Sequence, residues 1–269
     1  MNSFLKWPGG KRWFISKYNK IFPSKYNRYI EPFVGGGSVF FCLMPNNAII
    51  SDINPELINL YVVMRDNHQD LKEMLLQHQK NHNVDYYYQI RGDIPVNNIE
   101  QAARFLYLNR TCFNGMYRVN RHGMFNVPIG TKTNCIYDLD NFGSYSKILH
   151  NTDLIASDFS PIIRQAKFGD LVFVDPPYTI AHNQNSFIKY NEQLFTWVDQ
   201  KRLLNDLCYA RDNNAIVFAT NANYHLLHEM YTEHGFFTMI INRYSSISGR
   251  IDRRGRQEEL LISSLPIQK

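Results

Sequence analysis

The stretch DLVFVDPPY, residues 170–178, opens on an apolar run and leaves it through an acid, two consecutive prolines and an aromatic ring. Leu171 to Val174 read as a short buried strand, because a continuous apolar run bounded by turn signals suits a strand covered on both faces. Proline fixes its own φ and restricts the residue before it, so Pro176-Pro177 makes a stiff, extended exit. The freed carbonyls, the Asp175 carboxylate and the Tyr178 ring are thereby held together at the C-terminal edge of a sheet. In open α/β sheets that edge is where ligands bind. Taken alone, the word also fits a proline-stiffened exit with no chemistry, so its neighbours decide.

Other apolar runs end in the same manner. RYIEPFV (28–34) meets Gly35-Gly36-Gly37, NAIISDIN (47–54) reaches Asp52, TDLIASDF (152–159) reaches Asp158, and NAIVFATN (214–221) reaches Asn221. Helical patterns lie between several of them, for example Leu203, Leu204, Leu207, Cys208 and Ala210. Strands alternating with helices imply a mostly parallel sheet. GFFTMIINRYSS and QEELLISSL read as two antiparallel strands joined by a polar, basic loop. The expected fold is α/β, a doubly wound, Rossmann-like sheet with an antiparallel terminal strand pair.

Residues 55–137 break this rhythm. Asn54 is a candidate N-cap with Pro55 in the first turn, and Leu57, Leu60, Tyr61 and Met64 then repeat at helical spacing. A second helical run, IEQAARFLYLNR, leads into TCFNGMYRVNRHGMFNVPIGTKTN. Residues 101–137 contain no Asp or Glu, while Arg104, Arg110, Arg118, Arg121 and Lys132 fall inside. The region reads as a helical insertion carrying an exposed basic hairpin.

The chain has 269 residues, 44% of them hydrophobic, enough for one large domain with an insertion. Its net charge of +5 suits a polyanionic partner without requiring one. No apolar run approaches membrane-spanning length, and the N-terminus lacks a signal peptide's apolar core. Cys42, Cys112, Cys135 and Cys208 show no C-x-x-C pairing, which points to reduced thiols in a cytoplasmic protein. The histidines show no ligand spacing, so no metal is expected.

RYIEPFVGGGSVFFCL is a strand, a glycine turn and a helix start. Glycine lets backbone approach a ligand closely. Asp52, ending the next run, can accept hydrogen bonds from ribose hydroxyls, as in dinucleotide sites. Phe40 stands where the third glycine of G-x-G-x-x-G belongs, which weakens a dinucleotide reading. The turn, Asp52 and a second acidic edge at Asp158-Phe159 together suit an adenosine ligand without a pyrophosphate.

FLKWPGGK (4–11), EPFVGGGS (31–38), SDIN (51–54) and DPPY (175–178) occur in this order. The sequence resembles the DNA adenine-N6 methyltransferases of the Dam family, with the S-adenosylmethionine motif first and D-P-P-Y last. FLYLNRTCFNGMYRVNRHGMFNVPIG is similar to that family's target-recognition hairpin, and RYSSISGRIDRRGRQEELL to its basic C-terminal loop. The resemblance covers almost the whole chain. It implies a catalytic domain over residues 1–54 and 138–269 and a DNA target-recognition insertion over 55–137. Pro8 and Phe113 depart from residues common in the family, both near DNA-contacting segments.

Carried over residue by residue, the resemblance implies that Trp7, Lys11, Asp52 and Asp175 line the S-adenosylmethionine pocket. Gly35 and Gly37 make its close-approach turn, and Asp158 and Phe159 hold and pack the adenine. Asp175, Pro176, Pro177 and Tyr178 form the catalytic motif, acting on an adenine flipped out of duplex DNA. Phe113 and Asn114 are candidates to fill the gap left by that base. Arg118 is a candidate for bidentate contact with a guanine, a phosphate contact being the alternative. Lys6 contacts DNA by the same resemblance, and Arg250, Arg253, Arg254 and Arg256 track phosphates. The expected target is adenine in GATC, the product S-adenosylhomocysteine, the partner double-stranded DNA, and the enzyme a monomer of a bacterial or phage-infected cell. Two rivals are a protein-glutamine or RNA methyltransferase, which usually has Asn in place of Asp175, and a catalytically silent DNA-binding protein.

Overall fold

The structure, a computed structural model, describes residues 1–120, 122–137, 140–178, 195–244 and 256–267. The strands among them are β1 (Tyr29–Glu31), β2 (Ala48–Asp52), β3 (Thr152–Ala156), β4 (Leu171–Val174), β5 (Ile216–Ala222), β6 (Phe237–Tyr244) and β7 (Arg256–Ser263). They form one sheet in the order β3-β2-β1-β4-β5-β7-β6. β2, β1, β4 and β5 pair in parallel, with Tyr29 opposite both Ala48 and Leu171 and Val174 opposite Ala219. β7 is antiparallel to both β5 and β6. Every run read as a strand is one, and the mixed α/β sheet with its antiparallel end is the expected fold. The sheet winds outward from β1 and β4, and the carboxyl ends of strands at such a switch point bind ligands in this architecture.

The helices, numbered along the chain, are α1 (Arg12–Tyr18), α2 (Ser38–Leu43), α3 (Pro55–Asp66), α4 (His68–Asn81), α5 (Val84–Gly92), α6 (Asn98–Thr111), α7 (Phe142–Leu149), α8 (Ser160–Ile163), α9 (Trp197–Asp212) and α10 (His225–Glu233). The chain divides into two compact units, one of Met1–Arg12, Val34–Asn46 and Asp52–Ala156, the other of Trp13–Phe33, Asn47–Ser51 and Ser157–Lys269.

The first unit is built around α6, in which every residue from Ala102 to Thr111 is buried. A helix covered on all sides must be packed all round, and α3 and α4 both lie against it. α3 starts as its sequence dictates: Asn54 Oδ1 accepts from the amides of Glu56 and Leu57, and Pro55 occupies the first turn. Its stripe of Leu57, Leu60, Tyr61 and Met64 is fully buried. Arg110 is buried too. Its guanidinium is neutralised by Asp140 and also donates to the carbonyls of Cys135 at 2.7 Å and Phe4 at 3.0 Å.

The second unit carries β1 and β4–β7. Phe14, Phe22, Phe173 and Phe218 make an aromatic cluster with ring centroids 5.2–6.2 Å apart. α9 begins with a capping box between Thr196 and Asp199 and buries Leu203, Leu204, Leu207 and Ala210. In β7, Leu260, Leu261 and Ile262 are all fully buried, so this inner strand is covered on both faces.

Candidate active site

In the second unit β4 delivers Asp175 at its carboxyl end. On the neighbouring strand, one residue past the Val174–Ala219 register pair, the fully buried Thr220 donates its Oγ1 to Asp175 Oδ1 at 2.7 Å. Tyr178 donates its phenol to Glu259 Oε2 on β7 at 2.7 Å, and Arg243 Nη1 on β6 lies 3.5 Å from Glu259 Oε1. Burial, then the carboxylates of Asp175 and Glu259, push the Tyr178 phenol well up, so it is a neutral donor. A carboxylate and an aromatic ring at the end of one buried strand are therefore each fixed by a side chain from another strand.

Asp158 and Phe159 follow β3 in sequence. Phe159 is buried and stacks on Phe33 at 5.2 Å, with Phe195 5.7 Å from both rings. Together they make an apolar cluster, with Phe195 set edge-on to Phe33 at 79° and tilted to Phe159 at 52°. Asp158 is engaged on both oxygens by Arg202, at 2.8 and 3.0 Å, and also accepts from the Ser160 amide at 2.9 Å. The Arg202 guanidinium lies 4.2 Å over the Phe159 ring. Arg202 is a partner the sequence reading missed.

In the first unit Asp52 closes β2. Its Oδ2 accepts from the Gly35 amide at 3.1 Å and its Oδ1 from the Asn54 amide at 3.0 Å. Burial raises its proton affinity, opposed by those backbone donors. Trp7 is half-buried rather than a core residue. Its indole covers Gly35, which has a positive φ of 44° and where a Cβ would stand only 2.6 Å from Trp7 Cδ1. Gly37 is left-handed too and precedes α2. Lys11 is 3% exposed, so it is not a solvated surface lysine, and its Nζ lies 3.4 Å from the Gly9 carbonyl. Trp7 and Asp52 thus both meet Gly35, one through its ring and the other through a backbone hydrogen bond.

The basic stretch after α6 is a hairpin, with antiparallel bridges Cys112–Ile129 and Val119–Phe125. Arg118 is exposed, and Asn126 Oδ1 holds its Nε at 2.9 Å. Phe113 is 53% exposed, which removes core packing as its role, and Asn114 beside it has a φ of 57°. Lys6 is fixed through its backbone, which exchanges hydrogen bonds with the fully buried Asn109 amide at 3.2 and 2.8 Å. Its stem lies over Gly115, where a Cβ would meet Lys6 Cδ at 2.5 Å. Burial, and then the nearby Lys132, lower the proton affinity of its ammonium. Two cations held together favour an anion or acceptor-rich partner. Arg250, Arg253 and Arg254 lie outside the described residues, and Arg256 is described only as backbone opposite Tyr244. Among the described residues no cluster of three His, Cys, Asp or Glu could hold a metal, and no helix is long and apolar enough to cross a membrane.

Residues 7–244 match the family model of the D12 class N6 adenine-specific DNA methyltransferases. The chain belongs to this family, whose reaction is methylation of adenine in DNA. It is 34% identical over 273 residues to a type II methyltransferase, M1.LlaDCHI, of Lactococcus lactis subsp. cremoris, an alignment covering 98% of this chain and 95% of that one. It is also 32% identical over 266 residues to a DNA adenine methylase of Haemophilus influenzae, covering 96% and 92%. With the type II methyltransferase M.MjaIII of Methanocaldococcus jannaschii the identity is 36% over 222 residues, covering 74% and 77%.

Proposed function

We propose that the protein transfers a methyl group from S-adenosylmethionine to N6 of an adenine flipped out of duplex DNA, in the sequence GATC. The carrying observation is the end of β4, where Asp175 is held by Thr220 and Tyr178 by Glu259 in a chain of this family. The bound cofactor supplies an electrophilic methyl on a sulfonium, released as S-adenosylhomocysteine. The residues assigned to it fit such a group. Asp52 uses one bond per oxygen on backbone amides, and a carboxylate has about four acceptor sites, so two ribose hydroxyls can still be received. The apolar cluster of Phe33, Phe159 and Phe195 next to Asp158 supports the assignment of this edge to the adenine. Trp7, Lys11, Gly35, Gly37 and Asp158 complete the proposed set.

The adenine amine is a weak nucleophile because its lone pair is delocalised into the ring. Asp175 and the Pro176 carbonyl accept its two N–H groups, which favours a tetrahedral nitrogen and stabilises the positive charge that develops there. As the new N–C bond forms, a proton leaves N6, and the Asp175 carboxylate is the base beside it. Tyr178 stacks on the base, its ring angle fixed by Glu259. No covalent enzyme intermediate is needed.

The region 55–137 is proposed as the target-recognition part. Arg118 reads a guanine, Phe113 and Asn114 occupy the space vacated by the adenine, and Lys6 contacts DNA. Arg250, Arg253, Arg254 and Arg256 are proposed to follow phosphates. The test is methylation-sensitive sequencing of DNA from a host without adenine methylation that expresses this chain. Methylated adenine confined to GATC supports the reading, a different motif overturns the GATC assignment, and unmethylated DNA overturns the activity.

A further inference from the structure

Trp7, Phe105 and Tyr117 form one ring stack. The Trp7–Tyr117 centroids are 5.1 Å apart at 20°, Phe105–Tyr117 4.9 Å at 29°, and Trp7–Phe105 6.2 Å at 19°. Trp7 comes from the N-terminal motif, Phe105 from α6, and Tyr117 from the hairpin. The Tyr117 hydroxyl donates to Glu56 Oε2 at 2.9 Å. Burial, and then the Glu56 charge, raise the phenol's proton affinity, so it remains a donor. Glu56 sits in the turn that Asn54 caps, and the Asn54 amide donates to Asp52. Tyr117 therefore touches the cofactor-side residues at two points, through Trp7 and through the turn after Asp52.

Its neighbours face the other way. Successive side chains of an extended strand alternate between faces. Arg118 is exposed on the outer face with Asn126, whereas the Phe125 ring lies 5.8 Å from Tyr117 on the inner face. A shift of Tyr117 by one residue would turn Arg118 inward. The inner contacts thus set which side chain the hairpin presents.

We infer that Tyr117 is a positioning residue that couples the two substrates: its ring on Trp7 and its hydroxyl on Glu56 fix the hairpin that presents Arg118, so that methyl donor and duplex bind with mutual reinforcement. The inference rests on the proposed assignment of Trp7 and Asp52 to the cofactor and of Arg118 to DNA. Such coupling is reciprocal, and typical values are about 5- to 150-fold in affinity.

The experiment is calorimetric titration of S-adenosylhomocysteine with and without a GATC duplex, and of the duplex with and without S-adenosylhomocysteine. The natural chain should show the same enhancement factor in both directions, within that range. Tyr117→Phe keeps the ring and loses the Glu56 bond, and should lower the factor. Tyr117→Ala should bring it close to one, with each ligand still binding alone. A factor near one in the natural chain, or an unchanged factor in both variants, overturns the inference. If Tyr117→Ala does not fold, Tyr117→Phe decides, and an unchanged factor there overturns it. A natural chain that binds neither ligand overturns the proposed function and the coupling with it, whereas binding of both without enhancement overturns the coupling alone.

Discussion

Replacing Thr220 with valine removes one hydrogen bond and almost nothing else. Thr220 is fully buried on β5 and its Oγ1 donates to Asp175 Oδ1 at 2.7 Å, a short bond to a carboxylate. Hydrogen bonds to charged groups contribute about 1.5–3 kcal/mol. If that loss falls on the transition state, the methyl-transfer step slows roughly 10- to 150-fold. The missing donor also makes the Asp175 carboxylate more basic, so the acid limb of the pH–rate profile should move to higher pH. Valine fills nearly the same space, so the melting temperature should change little. Thr220→Ser restores the hydroxyl and should recover most of the rate. The assay is single-turnover methyl transfer to a saturating duplex over a pH series. A valine variant as fast as the natural chain, with an unmoved acid limb, would show that the orientation of Asp175 does not limit the chemistry.

Arg118→Ala should raise relative activity on duplexes altered at one guanine, worth about 1–3 kcal/mol of discrimination, whereas Phe113→Ala should keep the preference and be partly rescued by a mismatch opposite the target adenine; kcat/KM on cognate, substituted and mismatched duplexes separates them, and an equal loss on every duplex would make Arg118 a phosphate contact. Gly130→Ala sets a Cβ 2.5 Å from the Cys112 carbonyl oxygen and 2.8 Å from its carbon, an overpacking that should cost about 1–3 kcal/mol in urea unfolding. Gly92→Ala meets nothing within 4 Å and should not destabilise. His78, buried beside Tyr86 and stacked on Tyr107, has its imidazole pushed down to about 4 by burial. The unfolded chain takes up that proton near 6.5, so stability should rise with pH between about 4 and 6.5, by at most about 3 kcal/mol. His78→Phe should flatten that part of a pH series of urea melts.

Much of this architecture is local and was legible in the chain. β1 to β5 are apolar runs that lead into an acid, glycine or asparagine, and α3 announces itself through Asn54 and Pro55. The sequence pattern does not separate α4 from α5. α4 buries only Leu71, Leu75 and His78, a narrow stripe in a polar sequence. α5 contains three successive tyrosines, residues that favour strands, and it forms a helix with Asn83 capping the Tyr86 amide. The order of the last three strands was hidden as well, since nothing local tells that β7 inserts between β5 and β6. For the same reason the motif residues could be named but not their supports. Thr220 and Glu259 lie 45 and 81 residues beyond Asp175 and Tyr178, and Arg202 lies 44 beyond Asp158. Only the sheet brings Thr220 and Glu259 to the motif, and only the folded chain brings Arg202 to Asp158. Exposure likewise came only from the fold, which put Phe113 outside the core and Lys11 inside it.

In the proposed reaction Asp175 directs a methyl group onto N6 of adenine in DNA. The most direct measurement is mass spectrometry of nucleosides from a GATC duplex incubated with purified protein and S-adenosylmethionine carrying a deuterated methyl group. The expected product is labelled N6-methyldeoxyadenosine that depends on the cofactor, with label at no other base, and it is absent with Asp175→Ala although that variant still folds and binds the duplex. Label on another base, no label in the DNA, or an undiminished yield from Asp175→Ala would contradict the proposed reaction.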